Sequence, residues 1–367
     1  MLQPLHGSGM MPHMIDGALS LSFELDRVTP QLLTSMEGQL TAAIPDEVLC
    51  AQCFAIADTA MRYLVQAVAV DEPGVFAQYV TWVCGTSEDD TMAEIFPTLL
   101  DALSAAIRTE IPGPAKHAAL RAIETSFDSL KRPMPMRERA DIDASTREGK
   151  HALQYLGLLL AGERDGALDI IRAAAEESIP VGTIVEKVIL PVQRSVGALW
   201  HAGEITIADE HFITATSEMA LTVLRPWYPD PVVQDKRVLI STVGGDMHSF
   251  GARVASDFFE MDGWETLYLG ANTPRQDLLD ALVHYRAPVL ALAVTSQLHL
   301  RPVALLIRSA REDAATRDVR VLLGGRAVDQ HLGLGERMGA DAVVDTPREA
   351  PKRALELLAG GAVGDAE

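Results

Sequence analysis

Residues 237–251 read RVLISTVGGDMHSFG, a short apolar run rich in β-branched residues that ends at a pair of glycines. Runs of the same kind follow at helix-length intervals, at 266–270, 289–294, 319–325 and 341–346. Short runs that alternate with amphipathic spacers predict a parallel, doubly wound sheet. Ligands of such a sheet bind beyond the carboxyl ends of its strands. We therefore expect the functional residues in the loops that follow these runs.

The sequence before this region predicts helices. Apolar residues recur at three- and four-residue spacing across residues 32–40 and 95–107, which is typical of amphipathic helices. Residues 131–146 are charged, contain two prolines and lack apolar periodicity, which indicates a linker. Residues 147–227 predict four more helical stretches, the length and rhythm of a small antiparallel bundle.

These patterns predict a mainly α plus α/β protein with more than one domain. We expect a helical N-terminal domain over residues 1–135 and a four-helix bundle over 147–230. A doubly wound, Rossmann- or flavodoxin-like sheet domain is expected over 235–360. A chain of 367 residues is longer than one compact domain usually is.

The net charge of the chain disfavours nucleic acids and membranes as partners. Lysine and arginine number 31 against 51 acidic residues, which gives a net charge of −20. Such a surface repels phosphate backbones and anionic lipid headgroups, so direct nucleic-acid or membrane binding is disfavoured. The N-terminus also lacks the basic and long apolar regions of a signal peptide. We expect a cytoplasmic protein.

The loop after the first run carries the pattern D-x-H-x-x-G, formed by Asp246, His248 and Gly251. A metal-ligating imidazole needs one ring nitrogen free for the metal and the other held by an acceptor, and a nearby carboxylate provides that acceptor. Gly251 would leave room for a bulky group. The alternative is that His248 caps a helix while the glycines form a tight turn.

Small residues end two neighbouring strands of the predicted sheet. The third run is followed by Ser296 and Leu298 in the pattern S-x-L, and the fourth ends at Gly324 and Gly325. Side chains would normally fill the space between sheet and helices at these positions. We therefore expect a channel there that accepts a long, flat ligand.

This series of motifs resembles the cobalamin-binding domain of methionine synthases, corrinoid methyl-carrier proteins and carbon-skeleton mutases over about residues 235–350. The resemblance implies that His248 replaces dimethylbenzimidazole as the lower cobalt ligand and that Asp246 orients it. It also implies that the nucleotide tail passes Ser296 and the glycine pair 324–325. Four other histidines are predicted to have no functional role: His201, His284, His299 and His331.

The predicted bundle carries the pattern W-x9-EH, formed by Trp200, Glu210 and His211. This spacing resembles the light-sensing cobalamin domain of the adenosylcobalamin-dependent repressors of carotenoid synthesis. The resemblance implies that Trp200 and Glu210 wall the pocket of the 5′-deoxyadenosyl group. It implies that His211 binds cobalt after light breaks the Co–C bond. The alternatives are a tryptophan in the bundle core and a solvated Glu-His pair.

These resemblances lead to the expectation of a cobalamin-dependent light sensor and not an enzyme. Its signal would be a light-dependent change in homo-oligomer assembly or in contact with an unknown downstream protein. Those repressors begin with a helix-turn-helix domain, whereas residues 1–130 here lack a basic recognition helix, so we expect no direct DNA binding. The alternative hypothesis is a corrinoid protein that carries methyl groups between methyltransferases.

The arrangement of a helical extension, a bundle and a corrinoid sheet also resembles the photocobilins, a subgroup of cobalamin photoreceptors with a bilin beside the corrin. The resemblance implies biliverdin as a second chromophore. The aromatic-rich segment 76–84 is expected either in the core or around such a flat ligand. Cys50, Cys53 and Cys84 are predicted to be core thiols, although a bilin could attach to one of them.

Overall fold

The computed structural model describes residues 12–86, 91–130, 142–230, 232–233 and 235–361. The N-terminal part is helical, as its periodicity predicts. Its elements are α1 (Pro12–Ala43), α2 (Glu47–Ala69), α3 (Pro73–Thr86), α4 (Thr91–Glu110) and α5 (Gly113–Leu130). Asp46 begins α2, because its side chain accepts a hydrogen bond from the Leu49 N–H at 2.9 Å.

Helix α2 is long and apolar enough to cross a membrane by length and composition alone. Its residues from Leu64 to Ala69 are all buried within the protein, and Ala57, Ala60 and Met61 join the same hydrophobic core as α1, α3 and α4. A helix packed in this way is typical of the core of a helical domain.

The second helical region forms the predicted bundle. Its elements are α6 (Arg147–Leu160), α7 (Arg164–Glu176), α8 (Val181–Ile184), α9 (Leu190–His201) and α10 (Ile207–Val223). A π-helical turn, Val185–Ile189, joins α8 to α9. Tyr155 lies in the centre, fully buried, with its hydroxyl 3.0 Å from the Ser217 hydroxyl of α10.

The C-terminal region contains the predicted parallel sheet, and the fold class is confirmed. The strands are β1 (Arg237–Val243), β2 (Glu265–Thr273), β3 (Val289–Ala293), β4 (Arg320–Gly324) and β5 (Ala342–Val344). They lie in the order β2-β1-β3-β4-β5, and each neighbouring pair is parallel. This is the flavodoxin-like order, in which the chain changes direction between β1 and β3.

Helices cover both faces of this sheet. They are α11 (Phe250–Met261), α12 (Arg275–Tyr285), α13 (Leu300–Glu312), α14 (Arg326–Asp329), α15 (Leu334–Arg337) and α16 (Ala350–Gly361). The apolar residues of α11 and α16 share one core with the strands, and those of α12 to α15 share another. Both faces are therefore buried, as a parallel sheet requires.

The N-terminal helices pack directly on the sheet domain. Buried residues of α1 to α5 belong to the same continuous hydrophobic core as α12, α13 and one face of the strands. Polar contacts accompany this packing: Asp26 pairs with Arg301 at 3.1 Å, and Glu72 pairs with Arg337. The N-terminal helices therefore reach the edge of the sheet at which the strands end.

Charged pairs join the bundle to the other side of the sheet domain. Glu186 of the π-helical turn pairs with Arg348 at 2.7 Å, and Arg225 after α10 pairs with Glu260 of α11 at 2.7 Å. Valine and phenylalanine side chains of α11 also enter the bundle core. The bundle is thus anchored on α11 and on the turn before α16.

Candidate functional site

The loop after β1 is shaped by hydrogen bonds from its own strand and from β2. Thr242 Oγ1 donates to the Asp246 carbonyl at 2.7 Å, and the Asp246 N–H donates to the Val243 carbonyl at 3.0 Å. Gly245 has a φ of 92°, a conformation that suits glycine. Its N–H donates to Asn272 Oδ1 at 2.7 Å. The loop therefore has a defined conformation at the end of the strand.

His248 is held by Asp246 within this loop. Asp246 Oδ1 accepts the His248 backbone N–H at 3.0 Å, and it lies 2.8 Å from His248 Nδ1. The carboxylate is fully buried, whereas the histidine side chain is 60% exposed. When Nδ1 carries the proton that is donated to Asp246, the lone pair of Nε2 is available to a metal.

The electrostatics of His248 follow from the same contact. The hydrogen bond to Asp246 raises the pKa of His248, and burial opposes that rise. The charges of Asp246 and Glu210 raise the pKa further. Glu210 belongs to α10, so the bundle presents an acidic group within electrostatic range of His248. The structure thus brings together two regions that the sequence motifs single out separately.

His299 is a second imidazole beside the same carboxylate. Its Nδ1 lies 3.4 Å from Asp246 Oδ2, and its side chain is only 13% exposed. Neither of these two atoms has a hydrogen-bond partner among the described residues. Burial lowers the pKa of His299, which favours the neutral ring. His299 thus lies beside the Asp246–His248 pair, although the sequence assigned it no role.

The remaining residues expected in the lower part of the site lie after β3, at the end of β4 and in the first turn of α11. Ser296 begins the turn after β3 and accepts the Leu298 N–H at 3.3 Å. Gly325 has a φ of 110°, and a Cβ built on it would lie 2.7 Å from the Val294 carbonyl oxygen. Because of this close approach, only glycine fits after β4. A Cβ on Gly251 would meet only Ala293, at 3.9 Å.

The bundle places the expected upper residues at the end of α9 and the start of α10. Trp200 is 40% exposed. His211 is also exposed, and its Nδ1 lies 2.6 Å from Glu210 Oε2. Thr214 Oγ1 donates to the other oxygen of Glu210 at 2.8 Å. Glu210 therefore contacts the His211 ring, but this pair is more exposed than the Asp246–His248 pair, with the His211 side chain 75% exposed.

The sequence patterns missed Asn272 and His299. His299 directly follows the S-x-L motif, and its position after β3, next to β1 at the point where the strand order reverses, is the signal that would have found it. His331 lies on the same side of the site, 3.2 Å from Gln297. His284 lies on α12 with an exposed side chain, and the side chain of His201 lies outside the described residues.

Two segments of the chain match known protein families. Residues 236–356 match a family described as "B12 binding domain", and residues 153–225 match a second family of the same description. Both segments are B12-binding domains. They coincide with the sheet domain and with most of the bundle, so the cofactor of this protein is a corrinoid.

Similar proteins carry the same combination. Dimethylamine corrinoid protein 1 of Methanosarcina acetivorans is 25% identical over 210 residues, which is 56% of this chain and 96% of the relative. Monomethylamine corrinoid protein 2 of that organism is 23% identical over 201 residues, 53% of this chain and 90% of the relative. The solved monomethylamine corrinoid protein of Methanosarcina barkeri has the same fold, with a TM-score of 0.51 and 20% identity. The structural alignment covers 57% of this chain and 98% of the solved chain.

The residues of the B12-binding segments fit a corrinoid. Among the described residues, no three His, Cys, Asp or Glu side chains cluster as ligands for a free metal ion. A corrin supplies its own equatorial nitrogens, so one protein imidazole is enough. His248 provides an exposed ring whose orientation is set by a buried carboxylate, which is the donor arrangement that a cobalt ligand needs.

The prediction of a light sensor is wrong. The relatives of this chain are named as corrinoid proteins of methylamine systems, which agrees with the alternative hypothesis of a methyl-carrying corrinoid protein. Both classes place a helical bundle before a cobalamin sheet. Three residues at the W-x9-EH spacing therefore do not distinguish a light sensor from a methyl-carrying corrinoid protein. Light-dependent assembly falls with that prediction.

A bilin also finds no support in the matched families. Most of the aromatic-rich segment packs in the core, where Phe76 and Tyr79 are buried and the Tyr79 ring stacks on Tyr63 at 4.1 Å, whereas Trp82 is 41% exposed. Cys53 and Cys84 are buried free thiols. Burial raises the pKa of Cys84 to about 11, which disfavours the reactive thiolate.

Proposed function

We propose that this chain is a corrinoid protein that carries methyl groups between methyltransferases. The observation that carries the proposal is the His248–Asp246 pair, which lies in a B12-binding segment at the end of β1. The named relatives support it, because they are corrinoid proteins of dimethylamine and monomethylamine systems. On this proposal the chain is not an enzyme by itself, and its partners are methyltransferases.

Different residues of the described chain would hold different parts of the corrinoid. His248 would ligate cobalt from below, and Asp246 would hold its ring. Other residues proposed to accept the nucleotide tail are Gly251, Ser296, Leu298, Gly324 and Gly325. Trp200, Glu210 and His211 would cover the upper face from the bundle. When bound, the corrinoid supplies a cobalt centre that can accept and release a methyl group.

Asp246 controls the state of His248 in this scheme. The carboxylate accepts a hydrogen bond from Nδ1, which fixes the tautomer and leaves Nε2 for the metal. Asp246 is fully buried, so its negative charge is poorly screened by water and acts strongly on the ring. The loop hydrogen bonds from Thr242 and Asn272 then keep the pair at the end of β1.

The upper ligand follows from the proposed reaction. On this proposal the bound corrinoid would accept and release a methyl group, so we propose methylcobalamin in place of the adenosylcobalamin expected from the sequence. We also propose a cytoplasmic location, since a carrier that meets several methyltransferases must diffuse freely and the net charge of −20 favours solubility.

The lower ligand is tested by His248→Ala in the full chain loaded with cobalamin. We expect bound cobalamin without a nitrogen ligand from the protein, or at least a ten-fold loss of affinity, since even partners of a metal ligand are worth that much. Absorption spectra and equilibrium dialysis measure the two effects. His284→Ala, an exposed histidine on α12, is the control. A nitrogen-ligated spectrum in His248→Ala would contradict the assignment.

Methyl transfer is tested separately. The cobalamin-loaded, reduced protein is incubated with isotopically labelled monomethylamine or dimethylamine and a methylamine methyltransferase. We expect label on the protein-bound cobalamin only when the methyltransferase is present. A protein that binds cobalamin through His248 and accepts label from neither amine would contradict a role in methylamine systems.

A further inference from the structure

The carboxylate that holds His248 faces a second imidazole on a turn that the N-terminal helices contact. This turn, residues 297–299, follows β3 and leads into α13. We propose that His299 is a positioning residue for the cobalt ligand and acts through Asp246. We further propose that Gln66 and Gln78 of the N-terminal helices set its position. This inference rests on the proposed function.

The position of His299 is the first observation. Its Nδ1 and Asp246 Oδ2 are 3.4 Å apart, and each lacks a hydrogen-bond partner among the described residues. A hydrogen bond between nitrogen and oxygen needs about 2.7–3.2 Å. A small shift of the turn together with a reorientation of the His299 ring would therefore be needed to form the bond. Because a buried acceptor without a partner is costly, this bond has a strong driving force.

The bond would act on His248 through a shared carboxylate. Asp246 Oδ1 already contacts His248 Nδ1 at 2.8 Å, and Oδ2 faces His299. A donor on Oδ2 fixes the plane of the carboxylate and draws part of its charge away from Oδ1. Both effects change how firmly the His248 ring is oriented, and outer-sphere partners of this kind tune metal ligands.

The N-terminal helices hold the turn on both sides of His299. On one side, Gln297 is buried and donates from Nε2 to Gln78 Oε1 of α3. On the other side, the Arg301 N–H donates to Gln66 Oε1 of α2 at 2.8 Å. These contacts join residues more than 200 positions apart in the chain, since the separations are 219 and 235 residues. A movement of α2 or α3 therefore moves the turn.

His331 and Tyr63 complete this contact region. His331 lies between α14 and α15, and its Nε2 is 3.2 Å from Gln297 Nε2. Burial raises the pKa of Tyr63 of α2, and the nearby side chain of Ser296, the residue before the turn, partly opposes that rise. The matched B12-binding segments begin at residue 153, so α2 and α3 lie outside them. The control of His299 is thus a contribution of the N-terminal helices of this chain.

The test uses the full chain loaded with cobalamin and reduced to cob(II)alamin. Electron paramagnetic resonance reports a nitrogen ligand on cobalt through superhyperfine splitting. In His299→Leu we expect the ratio of His-ligated to unligated cobalt to fall about ten-fold. In His299→Gln, whose amide can still donate to Asp246, most of the ligated signal should remain. A purely structural role would not separate these two variants.

The contribution of the N-terminal helices is tested by Gln78→Ala against Gln39→Ala, which removes an exposed glutamine of α1. We expect Gln78→Ala to lower the ligated fraction in the same direction as His299→Leu and Gln39→Ala to match the wild type. An unchanged ratio in His299→Leu would overturn the role of His299. An unchanged ratio in Gln78→Ala alone would overturn control by the helices. A wild-type protein without nitrogen-ligated cobalt would instead overturn the proposed function and this inference with it.

Discussion

At the scale of single residues, two buried aspartates of the sheet domain have opposite surroundings. Asp246 accepts hydrogen bonds from the backbone and the ring of His248. Asp257 of α11 is buried at the junction with the bundle, 3.4 Å from Arg253, and its Oδ1 lacks a partner among the described residues. Burial raises the pKa of Asp257, and the charge of Arg253 only partly opposes that rise. Ionisation of Asp257 therefore destabilises the folded state.

We predict that Asp257→Asn stabilises the protein at neutral pH, because burial of the Asp257 carboxyl penalises its charged form. A carboxyl with a raised folded-state pKa is penalised as pH rises above its usual pKa of 3.8, because the folded state holds the proton more tightly than the unfolded state. Below that pH both states are protonated and the advantage of asparagine should disappear. Urea denaturation at neutral and acidic pH measures this, with exposed Asp318→Asn as the control. A destabilised Asp257→Asn at neutral pH would show that its pairing with Arg253 outweighs burial.

At the scale of elements, α10 presents Glu210 and His211 because its first turn is capped. Thr206 Oγ1 accepts the Asp209 N–H at 3.2 Å, and Asp209 Oδ2 accepts the Thr206 N–H at 2.8 Å. This capping box satisfies two backbone donors that the helix leaves unpaired. It therefore defines where α10 begins, one turn before Glu210 and His211.

We predict that Thr206→Ala lowers the free energy of unfolding by about 1 kcal/mol, the usual value of an N-cap threonine. Thr222→Ala is the matched control, since Thr222 lies at the other end of α10 and its hydroxyl bonds only the Glu218 carbonyl. Chemical denaturation followed by circular dichroism gives both values. Equal effects of the two substitutions would mean that the capping box contributes nothing specific.

At the scale of the whole molecule, the N-terminal helices and the sheet domain share one hydrophobic core. Leu64 of α2 and Leu300 of α13 are both fully buried in it. Burial of apolar surface between two regions makes the folding of each depend on the other. The N-terminal helices are therefore part of the folded unit that positions the turn after β3.

We predict that these regions unfold in a single transition. Two variants keep one tryptophan each, Trp82 in α3 or Trp264 before β2, with the other tryptophans replaced by phenylalanine. Their fluorescence should report the same denaturant midpoint, which is the expected result for one cooperative unit. A lower midpoint for the Trp82 variant would show that the N-terminal helices unfold independently.

The local sequence was sufficient to predict the helices and strands and the pairing of Asp246 with His248. The runs of β-branched residues predicted the strands, although β2 extends to Thr273, beyond the predicted end at residue 270. Asp246 and His248 could be paired from their spacing, because a side chain that bonds the backbone two residues ahead is a local interaction. The resemblance of the loop motifs to cobalamin-binding domains is confirmed by the matched families. The light-sensor function inferred from the W-x9-EH motif is wrong, because the relatives are named as corrinoid proteins.

The sequence by itself determined which segments form strands and helices and which histidine is paired with a carboxylate, because periodicity and short-range hydrogen bonds act within a few residues. Only the tertiary structure decided that His299 faces Asp246 and that Gln66 and Gln78 hold its turn. Those contacts require β3 to lie beside β1 and α2 to pack near the start of α13. Both depend on which apolar faces bury each other, and residues far apart in the chain carry no local signal of that choice.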